Sequence, residues 1–132
     1  MKIIADTNIL VRALTDDDQA QSPRAQAELA QAELVAIPPA ALCELVWVLT
    51  RGYRLPAATV ADAIRRLLAA TNVAADRGGA EAGLAMLDAG GDFADGVIAY
   101  EGKWLGADTF ISFDKRAVKL MEEQGESARL LA

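Results

Sequence analysis

The chain has 132 residues, of which 53% are hydrophobic and 24% are charged, with a formal net charge of −6 and no histidine. This length favours one domain over residues 1–132, with enough apolar side chains for a core. The absence of histidine excludes Ser-His-Asp catalysis, Cys-His catalysis and histidine-bound zinc. The acidic balance argues mildly against a large nucleic-acid footprint, although a bound dication or a local basic patch can reverse the sign locally.

Cysteine content and hydropathy favour a cytoplasmic protein with no membrane association. Cys43 is the only cysteine, so no internal disulfide can form. The most apolar stretch, residues 35–50, contains two prolines and Glu44. It is too short and too interrupted to span a bilayer. An acid at position 6 comes too early for a signal peptide.

Short apolar strands alternate with helical segments along the chain. In chain order, the pattern predicts a strand at 1–5, helices at 7–14 and 22–33, a strand at 34–37, helices at 40–51 and 57–70, a strand at 72–75, helices at 77–89 and 92–105, a strand at 109–112, a helix at 114–124 and a strand at 128–131. Ser22 is the predicted N-cap of the second helix, with Pro23 as its first residue. The alternation indicates an α/β fold with a parallel sheet covered on both faces.

Four acids fall at predicted strand-to-helix junctions or in the first turns of helices: Asp6, Glu44, Asp95 and Asp114. Because ligands of open α/β sheets bind beyond the carboxyl ends of the strands, we expect these side chains to share one pocket. Carboxylates without histidine favour an oxygen-liganded divalent cation. The sequence therefore predicts a metal site, with Asp92 as a possible second ligand beside Asp95.

Each acid also has an ordinary structural interpretation. Asp6, Asp92 and Asp114 stand where helix N-caps are expected, and Asp95 suits the first turn of a helix. Glu44 differs, because every neighbour in AALCELVWVL is apolar. A carboxylate buried there would need a metal or an arginine to offset its desolvation. The group as a whole is therefore better explained by a site than by four independent caps.

An RNA substrate would also require positive charge. Five basic residues lie close to these acids in the sequence: Arg12, Arg51, Arg54, Lys115 and Arg116. Arg12, Lys115 and Arg116 are weak candidates for RNA contacts, since each is individually better explained as a solvated surface charge. Trp47 and Trp104 have apolar neighbours within helices, so we predict that they lie in the core or an interface rather than stacking on bases.

Four segments resemble the PIN-domain family, and most of all its VapC-type ribonuclease toxins: IIADTNILVRAL, PPAALCELVWVL, DFADGVIAYEG and TFISFDKRAV. Their order and spacing match the family over nearly the whole chain. The resemblance implies a three-layer α/β/α sandwich with a central parallel sheet of about five strands. It assigns the acidic roles to Asp6, Glu44, Asp95 and Asp114, with Asn8 and Ser112 as polar support.

The same resemblance implies an endoribonuclease that depends on Mg²⁺ or Mn²⁺ and acts as the toxin of a toxin–antitoxin pair. It also implies a cognate antitoxin protein as partner and self-association as a homodimer. A bound dication would activate water and stabilise charge on the phosphate, chemistry for which the chain offers no obvious general base of its own.

Two other functions are compatible with parts of the sequence. A receiver-type phosphoacceptor domain would have a similar size, an acid after the first strand and Asp76 after the third. It would require two adjacent acids after the first strand, however, and it gives Glu44 and Asp95 no role. A catalytically inactive PIN-like scaffold that only binds a partner would not need the intact set of four acids.

Overall fold

Five strands and seven α-helices alternate along the chain, as predicted for an α/β protein. The computed structural model describes residues 1–132. The elements are β1 (Lys2–Ile4), α1 (Thr7–Thr15), α2 (Gln21–Gln31), β2 (Leu34–Ile37), α3 (Pro39–Trp47), a π-helical turn (Val48–Gly52), α4 (Ala57–Ala69), β3 (Val73–Ala75), α5 (Arg77–Asp88), α6 (Phe93–Trp104), β4 (Phe110–Ser112), α7 (Lys115–Glu123) and β5 (Ala128–Leu130). None of the helices combines the length and apolar character that a membrane crossing requires.

All strand pairs are parallel, and they form two sheets. β2 lies between β1 and β3, with Val35 opposite Ile3 on one side and Val73 on the other. β4 pairs with β5, where Ile111 lies opposite Arg129. The prediction of about five parallel strands is confirmed. Their division into sheets of three and two strands was not predicted.

The chain divides into two compact units, Met1–Asp76 and Arg77–Ala132. The first unit contains the three-stranded sheet, α1 to α4 and the π-helical turn, and the second contains α5 to α7 and the two-stranded sheet. Each unit has its own set of buried apolar side chains. The interpretation of residues 1–132 as a single domain stays a prediction.

The core of the first unit comes from β2 and the helices that follow it in sequence. Val35 and Ile37 of β2 are buried, as are Leu42 and Leu45 of α3. α4 buries residues at helical spacing: Val60, Ala61, Ile64 and Leu68. These apolar residues fix the helices, and so they fix the positions of the polar side chains beyond the carboxyl ends of β1 and β2.

In the second unit, α5 and α6 approach so closely that only glycine fits at their contact. A Cβ added to Gly96 would lie 2.2 Å from the carbonyl oxygen of Ala82, and one added to Gly83 would lie 2.7 Å from the ring of Phe93. α7 is joined to these helices through a buried cluster of Met86, Leu120 and Met121, against which Phe110 of β4 packs. The close contact between α5 and α6 fixes the position of the first turn of α6, which carries Asp95.

The predicted N-cap at Ser22 was wrong. α2 begins at Gln21, so Ser22 lies inside the helix, where it is fully buried and accepts a hydrogen bond from the backbone N–H of Asp18 at 3.3 Å. The Asp18 carboxylate accepts bonds from the N–H groups of Gln21 and Ala20 at 2.7 and 3.0 Å. These bonds hold the pKa of Asp18 below its ordinary value. The acidic turn, rather than the Ser-Pro pair, therefore starts α2.

Candidate active site

Asp6 and Glu44 are brought together in the first unit by Thr7. Asp6 follows β1 and caps α1, and its Oδ1 accepts a hydrogen bond from the backbone N–H of Thr7 at 2.9 Å. The Thr7 hydroxyl donates to Oε2 of Glu44, also at 2.9 Å. One threonine thus contacts both carboxylates and holds them beyond the ends of β1 and β2, the edge where ligands of parallel sheets bind.

Sequence reasoning missed Thr7. The only signal was its place directly after Asp6 in the segment Asp-Thr-Asn. Thr7 is the first residue of α1, and its backbone N–H donates to the preceding capping residue while its hydroxyl reaches a second element. Here that second element is α3, so Thr7 couples the capping aspartate to a residue 37 positions away in sequence.

Glu44 is exposed, so the prediction that it lies buried among apolar neighbours was wrong. The exposed positions of α3 recur every three or four residues, at 40, 44 and 47, and the turn after it is exposed at 51 and 52. Leu42, Leu45 and Val46 occupy the buried face. The apolar segment therefore forms a helix, α3, whose solvent-exposed face also contains apolar residues. Because the Glu44 carboxylate is exposed, it needs no partner to offset a desolvation cost.

Three aspartates interact electrostatically in the second unit. Asp92 caps α6, and its Oδ1 accepts a hydrogen bond from the N–H of Ala94 at 3.0 Å. Asp95 lies one turn further along and is half-buried, and no hydrogen bond is made by its carboxylate. Burial, followed by the negative charges of Asp92 and Asp114, raises the pKa of Asp95 above its ordinary value. Asp92 and Asp114 are therefore each close enough to repel Asp95.

Asp114 caps α7 immediately beyond β4. Its Oδ1 accepts hydrogen bonds from the N–H groups of Arg116 and Ala117 at 2.9 and 3.2 Å. Its own N–H donates to the hydroxyl of Ser112 at 3.0 Å. Ser112 therefore shapes the turn that carries Asp114.

Capping and ligand binding are compatible roles for these aspartates. Asp6, Asp92 and Asp114 each accept their capping hydrogen bonds through Oδ1. Their Oδ2 atoms accept no hydrogen bond from the protein. A cap of this kind fixes the side chain through one oxygen and leaves the other available to a cation or to its bound waters.

The donor set suits a hard divalent cation, since it consists of carboxylate oxygens. Neither unit by itself gathers three or more acidic or cysteine side chains that could hold a metal ion. Mg²⁺ does not require so many, because it keeps several of its waters and binds through one or two carboxylates. A cation beside Asp95 would also neutralise the repulsion that raises the pKa of this residue.

The remaining predicted residues differ in their contacts. Asn8 is exposed, and its side chain makes no hydrogen bond. Arg12 lies 3.2 Å from Asp17, and its Nε donates to Gln21 at 2.8 Å, so this guanidinium ties α1 to α2. Lys115 and Arg116 are exposed and form no ion pair. The Arg116 guanidinium lies against Gly90, where an added Cβ would come within 2.6 Å of it.

Comparison with known proteins identifies the family. The PIN domain family model matches residues 3–122, a range that runs from β1 into α7 and includes every acid described above. No curated protein sequence matches the chain. With a match over that range, the chain belongs to the PIN domain family, whose members are generally nucleases that use divalent metals.

Proposed function

We propose that this protein is an endoribonuclease that depends on Mg²⁺ or Mn²⁺ and serves as the toxin of a toxin–antitoxin pair. The observation that carries the proposal is Asp95, a half-buried carboxylate without a hydrogen-bond partner whose negative charge is opposed by Asp92 and Asp114. Such an arrangement is costly in a purely structural role. It becomes favourable when a dication binds.

Asp6, Glu44, Asp95 and Asp114 are the proposed metal ligands, directly or through metal-bound waters. When bound, the cation supplies Lewis-acid chemistry, lowering the pKa of a water and offsetting charge on the phosphate. The protein side chains position the ligands. Thr7 holds Asp6 and Glu44 through its two hydrogen bonds, and Ser112 holds the turn that carries Asp114.

Asp92 and Asn8 have supporting roles in this proposal, and the basic residues contact the RNA backbone. Lys115 and Arg116 have free charges for phosphate binding, whereas the Arg12 guanidinium is already engaged by Asp17. Arg116 in addition lies against the glycine turn that precedes Asp92. Its contact with Gly90 would hold the guanidinium near the start of α6 while an RNA phosphate binds.

A cleavage assay on mixed RNA tests the catalytic part. Wild type should cleave with Mg²⁺ or Mn²⁺ and be inactive in excess chelator, and Asp95→Asn should lose activity because it removes one negative charge at nearly constant volume. Asp62→Asn is the matched control, since Asp62 lies on α4 in an exposed ion pair with Arg66. Full activity of Asp95→Asn, or cleavage in excess chelator, would refute the proposal.

The biological part includes a cognate antitoxin, a homodimer and a cytoplasmic location. Exposed apolar side chains, including Ile4 at 80% and Phe113 at 74%, offer surface for protein partners. Expression of the wild type should arrest growth, while Asp95→Asn should be harmless. A harmless, active ribonuclease would remove the toxin assignment, and a strictly monomeric protein at micromolar concentration would remove the homodimer.

A further inference from the structure

The exposed face of α3 carries an aromatic residue next to the candidate ligand Glu44. Trp47 follows Glu44 by three residues, so the two lie on one face of α3. Arg51 is exposed in the π-helical turn that follows. The Trp47 side chain is 62% exposed, although tryptophan side chains are on average highly buried. Trp47 was predicted to lie in the core or an interface, and its exposure shows that the core alternative was wrong. An exposed indole beside a carboxylate calls for an explanation.

A strained residue lies two positions beyond the end of the π-helical turn that follows α3. The N–H of Tyr53 donates to the carbonyl of Val48, and that of Leu55 donates to Leu49, both at 3.0 Å. Between them, Arg54 adopts a left-handed backbone conformation with φ of 56°. Glycine is the usual residue in that conformation. Both π-helical turns and strained residues are concentrated at functional sites.

The segment at the end of this turn, residues 51–54, is anchored, and its two arginines are available. The Tyr53 hydroxyl donates to Oδ2 of Asp17 at 2.7 Å, which fixes the turn against the acidic segment after α1. Arg51 and Arg54 are exposed and form no ion pair. In a chain with a net charge of −6, two uncompensated guanidinium groups three residues apart are a local exception. We call Trp47, Arg51 and Arg54 the α3-end surface.

We propose that the α3-end surface binds single-stranded RNA, with a base stacked on the Trp47 indole and neighbouring phosphates held by Arg51 and Arg54. The proposal rests on the ribonuclease function above, because a strand bound here passes Glu44, one helical turn away. A base must be unpaired to offer its face to an indole, and stacking of this kind tolerates any sequence. The two arginines favour a polyanion over an apolar protein partner.

Tryptophan fluorescence tests the stacking directly, since the chain has two tryptophans and both are exposed. In an Asp95→Asn background that prevents cleavage, Trp104→Phe leaves Trp47 as the only indole, and Trp47→Phe leaves Trp104. Each protein is titrated with a mixed-sequence single-stranded RNA of about ten nucleotides and with the corresponding duplex. We expect saturable quenching of Trp47 by the single strand, little by the duplex, and none of Trp104.

Affinity measurements separate the three side chains. Trp47→Ala should weaken single-strand binding by about 5- to 150-fold, while the control Trp104→Ala should leave it unchanged. Arg51→Ala should lower the slope of log affinity against log salt by about 0.7. Arg54→Gly should lower it similarly while keeping or raising thermal stability, because it relieves the left-handed strain. A merely structural arginine would show the stability change without the change in RNA binding.

Unchanged RNA affinity in Trp47→Ala, or equal quenching of both tryptophans, would overturn the inference. It would also be overturned if Trp47→Ala dissociates an oligomer in sedimentation velocity without weakening RNA binding, because the surface would then be a protein interface. The ribonuclease proposal would be refuted by different results. Stacking without metal-dependent cleavage by the wild type refutes that proposal alone, and cleavage with no dependence on Trp47 refutes this inference alone.

Discussion

The contact between α5 and α6 positions Asp95, and two glycine-to-alanine substitutions in α6 test it. Gly96 directly follows Asp95, and a Cβ there would lie 2.2 Å from the carbonyl oxygen of Ala82, 2.7 Å from its carbonyl carbon and 2.9 Å from Cα of Gly83. Ordinary contacts begin at 3.4 Å. Because all three obstacles are backbone atoms, no side chain can rotate away, and the helices must separate by roughly 1 Å.

Gly102 is the matched control in the same helix, because a Cβ there meets nothing within 4 Å. Overpacking costs about 1–3 kcal/mol, and backbone obstacles favour the upper end. Replacing a helical glycine returns about 0.5–1 kcal/mol. Gly96→Ala should therefore lose about 2 kcal/mol, a fall of about 6–10 °C in Tm, whereas Gly102→Ala should gain about 2–5 °C.

Thermal and urea unfolding, followed by far-ultraviolet circular dichroism, measure both changes. The two variants should shift in opposite directions although the chemical change is the same. RNA cleavage should also fall in Gly96→Ala, since any movement of α6 displaces Asp95, and persist in Gly102→Ala. A Gly96→Ala protein at least as stable as the wild type would refute the close approach of the helices.

Two predictions concern the pH dependence of stability. Asp95→Asn in excess chelator should be more stable than the wild type at neutral pH. Because the pKa of Asp95 is raised on folding, the folded wild type binds the Asp95 proton more tightly than the unfolded chain does. The stability of the wild type therefore falls as pH rises from near 3.8 through the folded pKa of Asp95. Tyr53→Phe should be less stable than the wild type at neutral pH, because the Tyr53 hydrogen bond is the largest cause of the lowered pKa of Asp17. This stability difference should be lost as pH falls through the folded pKa of Asp17. Urea unfolding across the acidic range checks both, and either variant with a pH profile parallel to the wild type would contradict its prediction.

The positions of the elements could be predicted wherever local signals end a segment. Pro38 and Pro39 end β2 at Ile37, and Gly125, with φ of 82°, follows the end of α7. The spacing of apolar residues predicted a helix at 57–70, and α4 spans Ala57–Ala69. The division of the strands into two sheets could not be predicted, because pairing depends on contacts between segments distant in sequence. The receiver-type alternative failed for a simpler reason, since the chain is a PIN domain.

The sequence offers residues for the candidate site, but it could not predict their contacts. Asp6, Asp92 and Asp114 were interpreted as either caps or ligands, and in the structure capping occupies only one oxygen of each. Sequence alone could not separate the two roles, because an aspartate that only caps a helix and one that also binds a cation through its second oxygen occupy the same position in the sequence. Thr7 was missed for a different reason: its hydroxyl reaches Glu44 across 37 positions, and no local pattern indicates such a contact.

The errors at Glu44 and Trp47 have one physical cause, and that cause favours a functional face on α3. In an almost uniformly apolar helix, hydropathy cannot indicate which side faces solvent, so Glu44 was predicted to be buried and Trp47 to lie in the core or an interface. Packing against the core instead selected Leu42, Leu45 and Val46, and left positions 40, 44, 47 and 51 outside. A face exposed only by chance would tolerate ordinary polar residues, and an exposed indole there gains nothing from the core. An acid, an indole and a guanidinium spaced along that face have a common explanation if one ligand contacts all three, and a metal-associated RNA strand has the charge, the bases and the length to do so.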